Sequence, residues 1–298
     1  MAKNKPYRFF IYLMARLTAA FLAALPRPVL LFIARGLGRA AYSLVSRHRE
    51  AALRNLRFAF GRTKSEAEIR KIAREVFENL AQAYADVLLF QKMDPKKLDQ
   101  WVEMGDALET FRKLLAEGKG IILITSHLGN WELLAAALKL KGVPGKAVAR
   151  RVRYEPYNKW IENLRRAVQL ETIYRSESPR EIIQLLRRGE VIGLLPDQDI
   201  SNLRGVFVNF FGKSAHTSIA PVRLSLRTGA PIITCFVIRR PKGRYQFLIG
   251  EIIRPAIQTT REAAILESTQ QWMKNCEEMI RRYPGQWGWM HNRWKTTE

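Results

Sequence analysis

The stretch from Gly120 to Leu138 constrains the fold of this chain more than any other part. It begins with a continuous apolar run, Ile121–Ile124, which is typical of a strand buried on both faces, as in a parallel sheet. From Trp131 onward the apolar residues follow helical spacing. Asn130 stands at the N-cap position, where its side-chain oxygen can accept a backbone N–H of the first turn. The stretch therefore predicts a buried strand, a short turn and a helix.

His127 and Glu132 flank this predicted turn. On a continuous helix, residues five apart point about 140° away from each other, so the two side chains meet only if His127 stays in the turn. Gly129 would let the chain fold back there. Glu132 could then hold one imidazole nitrogen while the other faces a substrate, which is the base and orienter of a catalytic triad without a protein nucleophile. The alternative is an ordinary His and Glu at a solvated loop end.

Helices and strands alternate through the rest of the chain. Further strands are predicted at residues 146–149, 191–195, 232–238 and 245–253. Helices are predicted at residues 46–60, 69–88, 108–115, 156–168, 178–189, 217–227 and 260–282, with a capping box at Thr63 and Glu66. Such alternation indicates an α/β fold with a mostly parallel central sheet flanked by helices. Ligands in these sheets bind beyond the carboxyl ends of the strands, and both His127 and the pair Asp197 and Asp199 directly follow strands.

The first 45 residues differ from the remainder of the chain. Residues 9–25 are apolar except for Arg16 and Thr18, and residues 29–45 form a second, amphipathic stretch that carries Arg35 and Arg39. A spanning helix needs ~20 apolar residues. We therefore interpret residues 1–45 as a membrane anchor that either spans the bilayer or lies in the headgroup layer. The alternative is a buried helix pair. Residues 46–298 would form a single α/β domain.

The charge of the chain points to anionic partners. Lys and Arg number 50 against 27 Asp and Glu, a net charge of +23 that is spread along the sequence. Lipid headgroups, an acidic carrier protein, phosphorylated sugars and nucleic acid all fit this charge. A nucleic-acid-binding protein would need a localised basic face or a recognisable module, so we expect no nucleic acid. Cys235 and Cys276 lack metal-ligand spacing, and neither a metal nor a cofactor is predicted.

Tryptophans are concentrated near the C-terminus, at Trp287, Trp289 and Trp294, together with Arg293 and Lys295. Aromatic residues beside cations are typical of a membrane-interface belt. More often such a cluster packs a C-terminal tail onto its domain, and we favour that interpretation.

Four blocks of the sequence together resemble the bacterial lipid A biosynthesis acyltransferases of the late, lauroyl/myristoyl type, within the lysophospholipid acyltransferase superfamily. The blocks are Ser126-His-Leu-Gly-Asn-Trp-Glu132, Arg151 with Glu155-Pro-Tyr-Asn-Lys-Trp160, Leu195-Pro-Asp-Gln-Asp199 with Val208-Asn-Phe-Phe-Gly212 and Thr217, and Trp289-Met-His-Asn-Arg-Trp-Lys295. The first contains the superfamily's His-x4-Asp/Glu motif. Where glycerophosphate-type acyltransferases carry Phe-Pro-Glu-Gly-Thr, this chain has the third block. That departure argues against lysophosphatidic acid as the acceptor.

The resemblance implies an O-acyltransferase of the inner membrane, with its catalytic domain on the cytoplasmic face. The donor would be an acyl thioester of acyl carrier protein or coenzyme A. The acceptor would be a hydroxyl of an anionic glycolipid, with a lipid A precursor as the first candidate and another membrane glycolipid or a lysolipid as the alternative. The acyl chain length and the choice of donor stay open.

The resemblance also implies roles for individual residues. His127 and Glu132 would form the catalytic pair, without a covalent acyl-enzyme. Arg151, Asp197 and Asp199 would line the polar part of the substrate pocket, and further substrate-binding residues are expected at Asn130, Phe211 and Thr217. Without the resemblance, we would interpret Arg151 as one cation among 50. For the two aspartates, the alternative to a functional role is a solvated loop pair or a helix-capping pair, and the sequence favours neither.

Overall fold

The computed structural model describes residues 6–297 apart from residues 176–178, 201, 257 and 259. Its α-helices are α1 (Pro6–Ala24), α2 (Arg27–Leu44), α3 (Ser46–Phe60), α4 (Glu66–Leu88), α5 (Ala107–Leu115), α6 (Trp131–Leu140), α7 (Glu155–Ala167), α8 (Pro179–Arg187), α9 (Ala220–Thr228) and α10 (Arg261–Arg282). Its strands are β1 (Val102–Glu103), β2 (Ile121–Ile124), β3 (Gly145–Ala149), β4 (Glu171–Tyr174), β5 (Val191–Leu194), β6 (Gly205–Phe210), β7 (Lys213–Ser218), β8 (Ile232–Arg239) and β9 (Tyr245–Ile253).

The central sheet has the strand order β1-β9-β8-β2-β5-β3-β4. Neighbouring strands in this order run parallel, apart from β8 and β9, which are antiparallel. This confirms an α/β fold with a mostly parallel sheet flanked by helices. Strand β2 lies between β5 and β8, and all four of its residues are buried. The register pairs Ile124 with Leu194, so the carboxyl ends of β2 and β5 meet at one edge of the sheet.

A β-hairpin occupies part of the region where a helix was predicted at residues 217–227. Thr217 lies in β7, which pairs antiparallel with β6 outside the central sheet, and the helix that follows begins at Ala220. The hairpin turns at Phe211 and Gly212, with φ values of +56° and +77°. Two residues with positive φ are typical of the type I′ turn that joins antiparallel strands. The helix prediction was wrong only for residues 217–219, because Thr217 and Ser218 pair with β6, and it is confirmed from Ala220 onward.

The capping box of α4 is also shifted from its predicted position. The N-cap is Ser65, whose backbone N–H donates to the Glu68 carboxylate at 2.8 Å and whose hydroxyl accepts from the Glu68 N–H at 3.3 Å. Glu66 instead pairs with Arg57 of the preceding helix. The prediction of Thr63 and Glu66 was therefore two residues early. Residue 178, where the helix predicted at residues 178–189 begins, lies outside the described residues.

The two N-terminal helices differ in how they meet the rest of the protein. Helix α1 is apolar and long enough to cross a membrane, and only 6% of its residues from Tyr7 to Ala24 are buried. Helix α2 packs onto α4 through Leu30, Leu31, Ala34 and Gly38. It therefore contributes to the packed domain. The division of the chain at residue 45, between α2 and α3, stays a prediction.

Ion pairs reinforce the packing of α2 on α4. Arg27 donates to Asp86 at 2.8 Å, and Arg35 and Arg39 donate to the two oxygens of Glu78 at 2.7 and 2.6 Å. Asp86 is fully buried, so a loss of Arg27 would leave a buried charge with fewer partners, which is costly.

The contact between α2 and α4 predicts opposite effects for two glycines of α2. A Cβ at Gly38 would lie 2.6 Å from the backbone oxygen of Phe77, whereas a Cβ at Gly36 would meet nothing within 4 Å. Both substitutions gain the same helix propensity, but Gly38→Ala must also push the helices apart, at about 1–3 kcal/mol. Thermal unfolding of the full-length protein should show Gly38→Ala melting below the wild type and Gly36→Ala at or above it. Equal melting temperatures for the two variants would contradict this packing.

Candidate active site

The turn between β2 and α6 presents His127 at the carboxyl edge of the sheet. Asn130 caps α6 as predicted, because its side-chain oxygen accepts the N–H of Leu133 at 3.0 Å. The side-chain amide of Asn130 is buried and donates to the backbone oxygen of Ala83 and to the hydroxyl of Tyr245, both at 3.4 Å. The structure therefore gives Asn130 a helix-capping role, and its predicted contact with substrate stays a prediction.

Backbone contacts brace this turn on two sides. Gly129 has a φ of +67°, and a Cβ there would lie 2.0 Å from the backbone oxygen of Val237 on β8, so the position requires glycine. On the other side, the N–H of Gly129 donates to Gln286 at 3.0 Å, and the N–H of Gly288 donates to the backbone oxygen of His127 at 2.9 Å. The C-terminal segment is thus part of the site.

Asp197, which follows β5, holds the imidazole of His127. Its Oδ1 lies 2.7 Å from His127 Nδ1, and its Oδ2 accepts the backbone N–H of His127 at 2.8 Å. A further donor, the indole Nε1–H of Trp287, lies 3.0 Å from the same Oδ2. Asp197 is only 1% exposed. When the carboxylate is ionised and the ring neutral, the ring proton lies on Nδ1, and Nε2 carries the lone pair that can accept a proton.

His127 and Asp197 each shift the pKa of the other. Burial alone would lower the pKa of His127, but the charge and hydrogen bond of Asp197, with the charge of Glu132, raise that pKa above its ordinary value of 6.5. Burial alone would raise the pKa of Asp197, but the charge of His127 and the hydrogen bonds from His127 and Trp287 lower it. The imidazolium–carboxylate form is therefore stabilised, as a base requires after it accepts a proton.

Glu132 has a different partner from the one predicted. Its two oxygens accept hydrogen bonds from Arg165 of α7, at 2.5 Å from Nη2 and 2.9 Å from Nε, in a bidentate ion pair. The structure therefore corrects the expectation that Glu132 holds an imidazole nitrogen of His127, because Asp197 on the neighbouring strand occupies that place. Glu132 still acts on His127 through its charge. Arg165 was not predicted, since nothing in the sequence distinguishes it from the other cations.

Asp199 and Thr217 belong to a second buried cluster beside the His127 pair. The Asp199 carboxylate accepts from the backbone N–H and the hydroxyl of Thr296, at 2.8 and 2.9 Å. Arg293 donates to the Thr217 hydroxyl at 2.5 Å and to the backbone oxygen of His216 at 2.6 Å. Burial lowers the pKa of Arg293 to about 10. Both predicted residues hold the C-terminal segment, and their contact with substrate stays a prediction.

Arg151 and Phe211 each contact aromatic side chains. Arg151 is exposed in the loop after β3, with its guanidinium 4.6 Å from the ring centre of Tyr174. Phe211 is buried at the turn of the β-hairpin, with ring centres 5.5 Å from Phe60 and 5.6 Å from Trp289. Phe211 is therefore packed in an aromatic cluster, and the binding roles of both residues stay predictions.

The tryptophans of the C-terminal segment pack onto the domain. Trp287 and Trp289 are 1% and 0% exposed, with their ring centres 4.6 Å apart. The packing interpretation is confirmed for these two residues. What the sequence did not indicate is that Trp287 also donates a hydrogen bond to the carboxylate beside His127.

The family model and two curated relatives that match this chain all describe lipid A biosynthesis acyltransferases. The family described as "Bacterial lipid A biosynthesis acyltransferase" matches residues 2–296 of this chain. The chain is 28% identical over 275 residues to the lipid A biosynthesis lauroyltransferase of Escherichia coli (strain K12), which covers 91% of this chain and 87% of the relative. It is 24% identical over 279 residues to the lipid A biosynthesis palmitoleoyltransferase of the same organism, with the same coverage.

A third relative is named for a different glycolipid. A phosphatidylinositol mannoside acyltransferase of Mycobacterium tuberculosis (strain ATCC 25618 / H37Rv) is 23% identical over 222 residues, which cover 73% of this chain and 68% of the relative.

The geometry of the pair predicts how His127 titrates in two variants. Asp197→Asn removes the charge that opposes burial, so the pKa of His127 should fall below 6.5. Asp199→Asn is the matched control, because Asp199 is equally buried but bonds to Thr296. NMR titration of the full-length protein with ¹⁵N-labelled histidine, assigned with a His127→Gln variant, measures both values. A fall of the same size in both variants would show that the Nδ1 contact does not set this pKa.

Proposed function

Because the chain belongs to the bacterial lipid A biosynthesis acyltransferase family, and is thus an O-acyltransferase acting on a glycolipid, we propose that it acylates a hydroxyl of a lipid A precursor. The donor is an acyl thioester of acyl carrier protein or coenzyme A. The observation that supports the mechanism is the buried Asp197 against Nδ1 of His127, which leaves Nε2 to act as the base.

In the proposed reaction, the acceptor hydroxyl gives its proton to Nε2 of His127 as its oxygen attacks the thioester carbonyl carbon. A tetrahedral oxyanion forms and collapses, the C–S bond breaks, and the leaving thiolate takes the proton back from the imidazolium. Base catalysis of this kind contributes ~10²–10⁴-fold. Asp197 fixes the tautomer and stabilises the imidazolium, so the base pair that we propose is His127 with Asp197.

The start of α6 supplies donors for the developing oxyanion. The first N–H groups of a helix have no intrahelical acceptor and carry partial positive charge. In this turn the N–H groups of Gly129, Asn130 and Leu133 are already bonded within the protein. We assign the oxyanion to the N–H groups of Trp131 and Glu132, the first two residues of the helix.

The proposed role of Glu132 follows from its ion pair. It fixes the guanidinium of Arg165 beside the start of α6, where both side chains are largely buried. It also raises the pKa of His127 through its charge, which strengthens the base. Removal of Glu132 should therefore weaken catalysis without removing the proton acceptor.

Exposed arginines support an anionic acceptor. Arg150, Arg151 and Arg153 lie in the loop after β3, at the same edge of the parallel sheet as the end of β2. Guanidinium groups suit phosphorylated headgroups. The similarity to phosphatidylinositol mannoside acyltransferases supports a second candidate, in which the same chemistry acylates another membrane glycolipid.

Helix α1 supports attachment to a membrane, which we propose is the inner membrane, with the catalytic domain on its cytoplasmic face. Large apolar side chains of α1 are exposed, among them Phe10 at 64% and Phe21 at 67%. The helix lies beside the start of α7, in the second sequence block, since the ring centre of Tyr12 is 5.3 Å from that of Tyr157. An acceptor held in the membrane surface would thus meet the domain next to the start of α7. Helix α1 either spans the bilayer or lies in its headgroup layer.

Charged substitutions test this attachment. The double variant Phe10→Glu, Phe21→Glu places two charges on the exposed face of α1 and should shift the protein from the membrane to the soluble fraction. Leu266→Glu is the control, because Leu266 is 45% exposed on α10, far along the chain from the proposed anchor. Membrane flotation of cell lysates measures the distribution. Unchanged flotation of the double variant would contradict a membrane role for α1.

The reaction itself is tested with a labelled acyl thioester and purified acceptors. His127→Ala should abolish transfer to a lipid A precursor, Glu132→Gln should leave a slow residual rate, and His48→Ala, an exposed histidine of α3, should transfer normally. Donor incubated without acceptor should leave no stoichiometric label on the protein. A trapped acyl-enzyme, or near-normal turnover of His127→Ala, would overturn the mechanism. Transfer to a phosphatidylinositol mannoside but not to a lipid A precursor would favour the second candidate.

A further inference from the structure

Trp287 and Trp289 occupy similar environments but use their indole N–H groups differently. Both rings are buried, and both lie in the same C-terminal segment. The Nε1–H of Trp287 donates to Oδ2 of Asp197 at 3.0 Å, whereas that of Trp289 donates to the backbone oxygen of Pro284 at 2.8 Å. Packing explains why both residues are tryptophan-sized. It does not explain why Trp287 directs its one polar atom at the carboxylate that holds His127.

The position of Trp287 is fixed by its neighbours in the chain. Gln286 accepts the N–H of Gly129, and Gly288 donates to the backbone oxygen of His127, so Trp287 is held between two contacts to the catalytic turn. The side chain of Gln286 also bonds to the backbone of Arg239 at the end of β8, at 2.8 and 3.0 Å. A residue held this way cannot easily shift to let another donor replace its indole N–H.

The two carboxylate oxygens of Asp197 have different hydrogen-bond partners. Oδ2 receives the Trp287 indole and the backbone N–H of His127, while Oδ1 faces Nδ1 of His127 at 2.7 Å. A carboxylate can rotate about its Cβ–Cγ bond, and the indole opposes that rotation because rotation would break the bond to Oδ2. The angle at which Oδ1 meets the imidazole is therefore set partly from the C-terminal segment.

We propose that Trp287 is a positioning residue, which orients Asp197 so that Oδ1 keeps the His127 imidazole aligned for proton transfer. This inference rests on the proposed function, in which His127 is the base. Trp287 acts through Asp197 and is not proposed to touch the substrate.

Other charged and titratable groups face the pair from three elements, and a substitution at Trp287 alters none of these residues. Glu132 on α6 acts on His127, and Cys276 on α10 faces Asp197. In the C-terminal segment, His291 and Arg293 both interact with Asp197. A Trp287 variant thus isolates one hydrogen bond within an otherwise constant set of charges.

The experiment compares Trp287→Phe with Trp289→Phe in the full-length protein, by pH profiles of kcat/KM for acyl transfer. Both variants leave a similar small cavity, but only Trp287→Phe removes a donor from Asp197.

With one donor fewer, the carboxylate attracts the imidazolium more strongly, so the pKa of His127 rises. Since the base must be neutral to act, the acidic limb of the Trp287→Phe profile should move to higher pH, by about half a unit. Its kcat should fall about 10-fold with little change in KM, by analogy with lost orientation of a base. Trp289→Phe should keep the wild-type limb.

A second replacement separates the hydrogen bond from packing. Incorporation of 3-benzothienylalanine at position 287 substitutes sulfur for the indole N–H at nearly constant volume, and it should reproduce the shift of Trp287→Phe. This replacement also serves if Trp287→Phe fails to fold. An unshifted limb with the benzothienyl side chain, or equal shifts for positions 287 and 289, would overturn the proposal. His127→Ala is measured in parallel: if it stays active, the base assignment itself fails, whereas an inactive His127→Ala with no shift at position 287 refutes the Trp287 role alone.

Discussion

The buried Asp197 carboxylate is the group on which the arrangement of the site depends. A carboxylate in the protein interior is stable only when several donors or an opposite charge satisfy it. Here three donors come from two residues: the ring and the backbone of His127, and the indole of Trp287. Moving any one of these donors away would leave the buried carboxylate with fewer hydrogen bonds, so each donor is fixed by its bond to Asp197. The same contacts that offset the burial of the charge therefore fix the imidazole.

The sheet brings these donors together. His127 and Asp197 are 70 residues apart in the chain, but they follow β2 and β5, which are adjacent and parallel with Ile124 opposite Leu194. The C-terminal segment closes the site from a third side through its contacts at Gln286 and Gly288. The site is thus formed by the ends of β2 and β5 and by the C-terminal segment, which are distant from one another in sequence. Its position at the carboxyl ends of parallel strands is the usual one for ligand sites in such sheets.

A second buried carboxylate connects the N-terminal helices with the same turn. Asp86 of α4 accepts from Arg27 of α2 at 2.8 Å and from the hydroxyl of Tyr245 at 2.6 Å. That hydroxyl also receives the side-chain amide of Asn130, the cap of α6. Helix α2 is therefore linked through hydrogen bonds to α6, the helix that follows His127. These bonds hold α2 against the domain, whereas most of α1 is exposed.

Much of the fold could be predicted because it is encoded locally. The strand at β2, the cap at Asn130 and the helix after it follow from apolar spacing and one side chain, and the bounds of α3 and β9 match the sequence pattern. The β-hairpin could not be predicted in this way, since β7 is a strand only through its pairing with β6. Local patterns do not report a partner strand.

The sequence by itself determined the α/β class and the family resemblance, and it led to the proposal of His127 as the base. It also named Glu132 and Asp197 as candidates, because each follows a buried strand in a recognisable block. Only the tertiary structure decided which carboxylate holds the imidazole. Glu132 is close in sequence, but its side chain is engaged by Arg165 of another helix, whereas Asp197 is distant in sequence and adjacent across the sheet. Hydrogen bonds act over about 3 Å in space, so the pairing of side chains is set by the strand order and not by their separation along the chain.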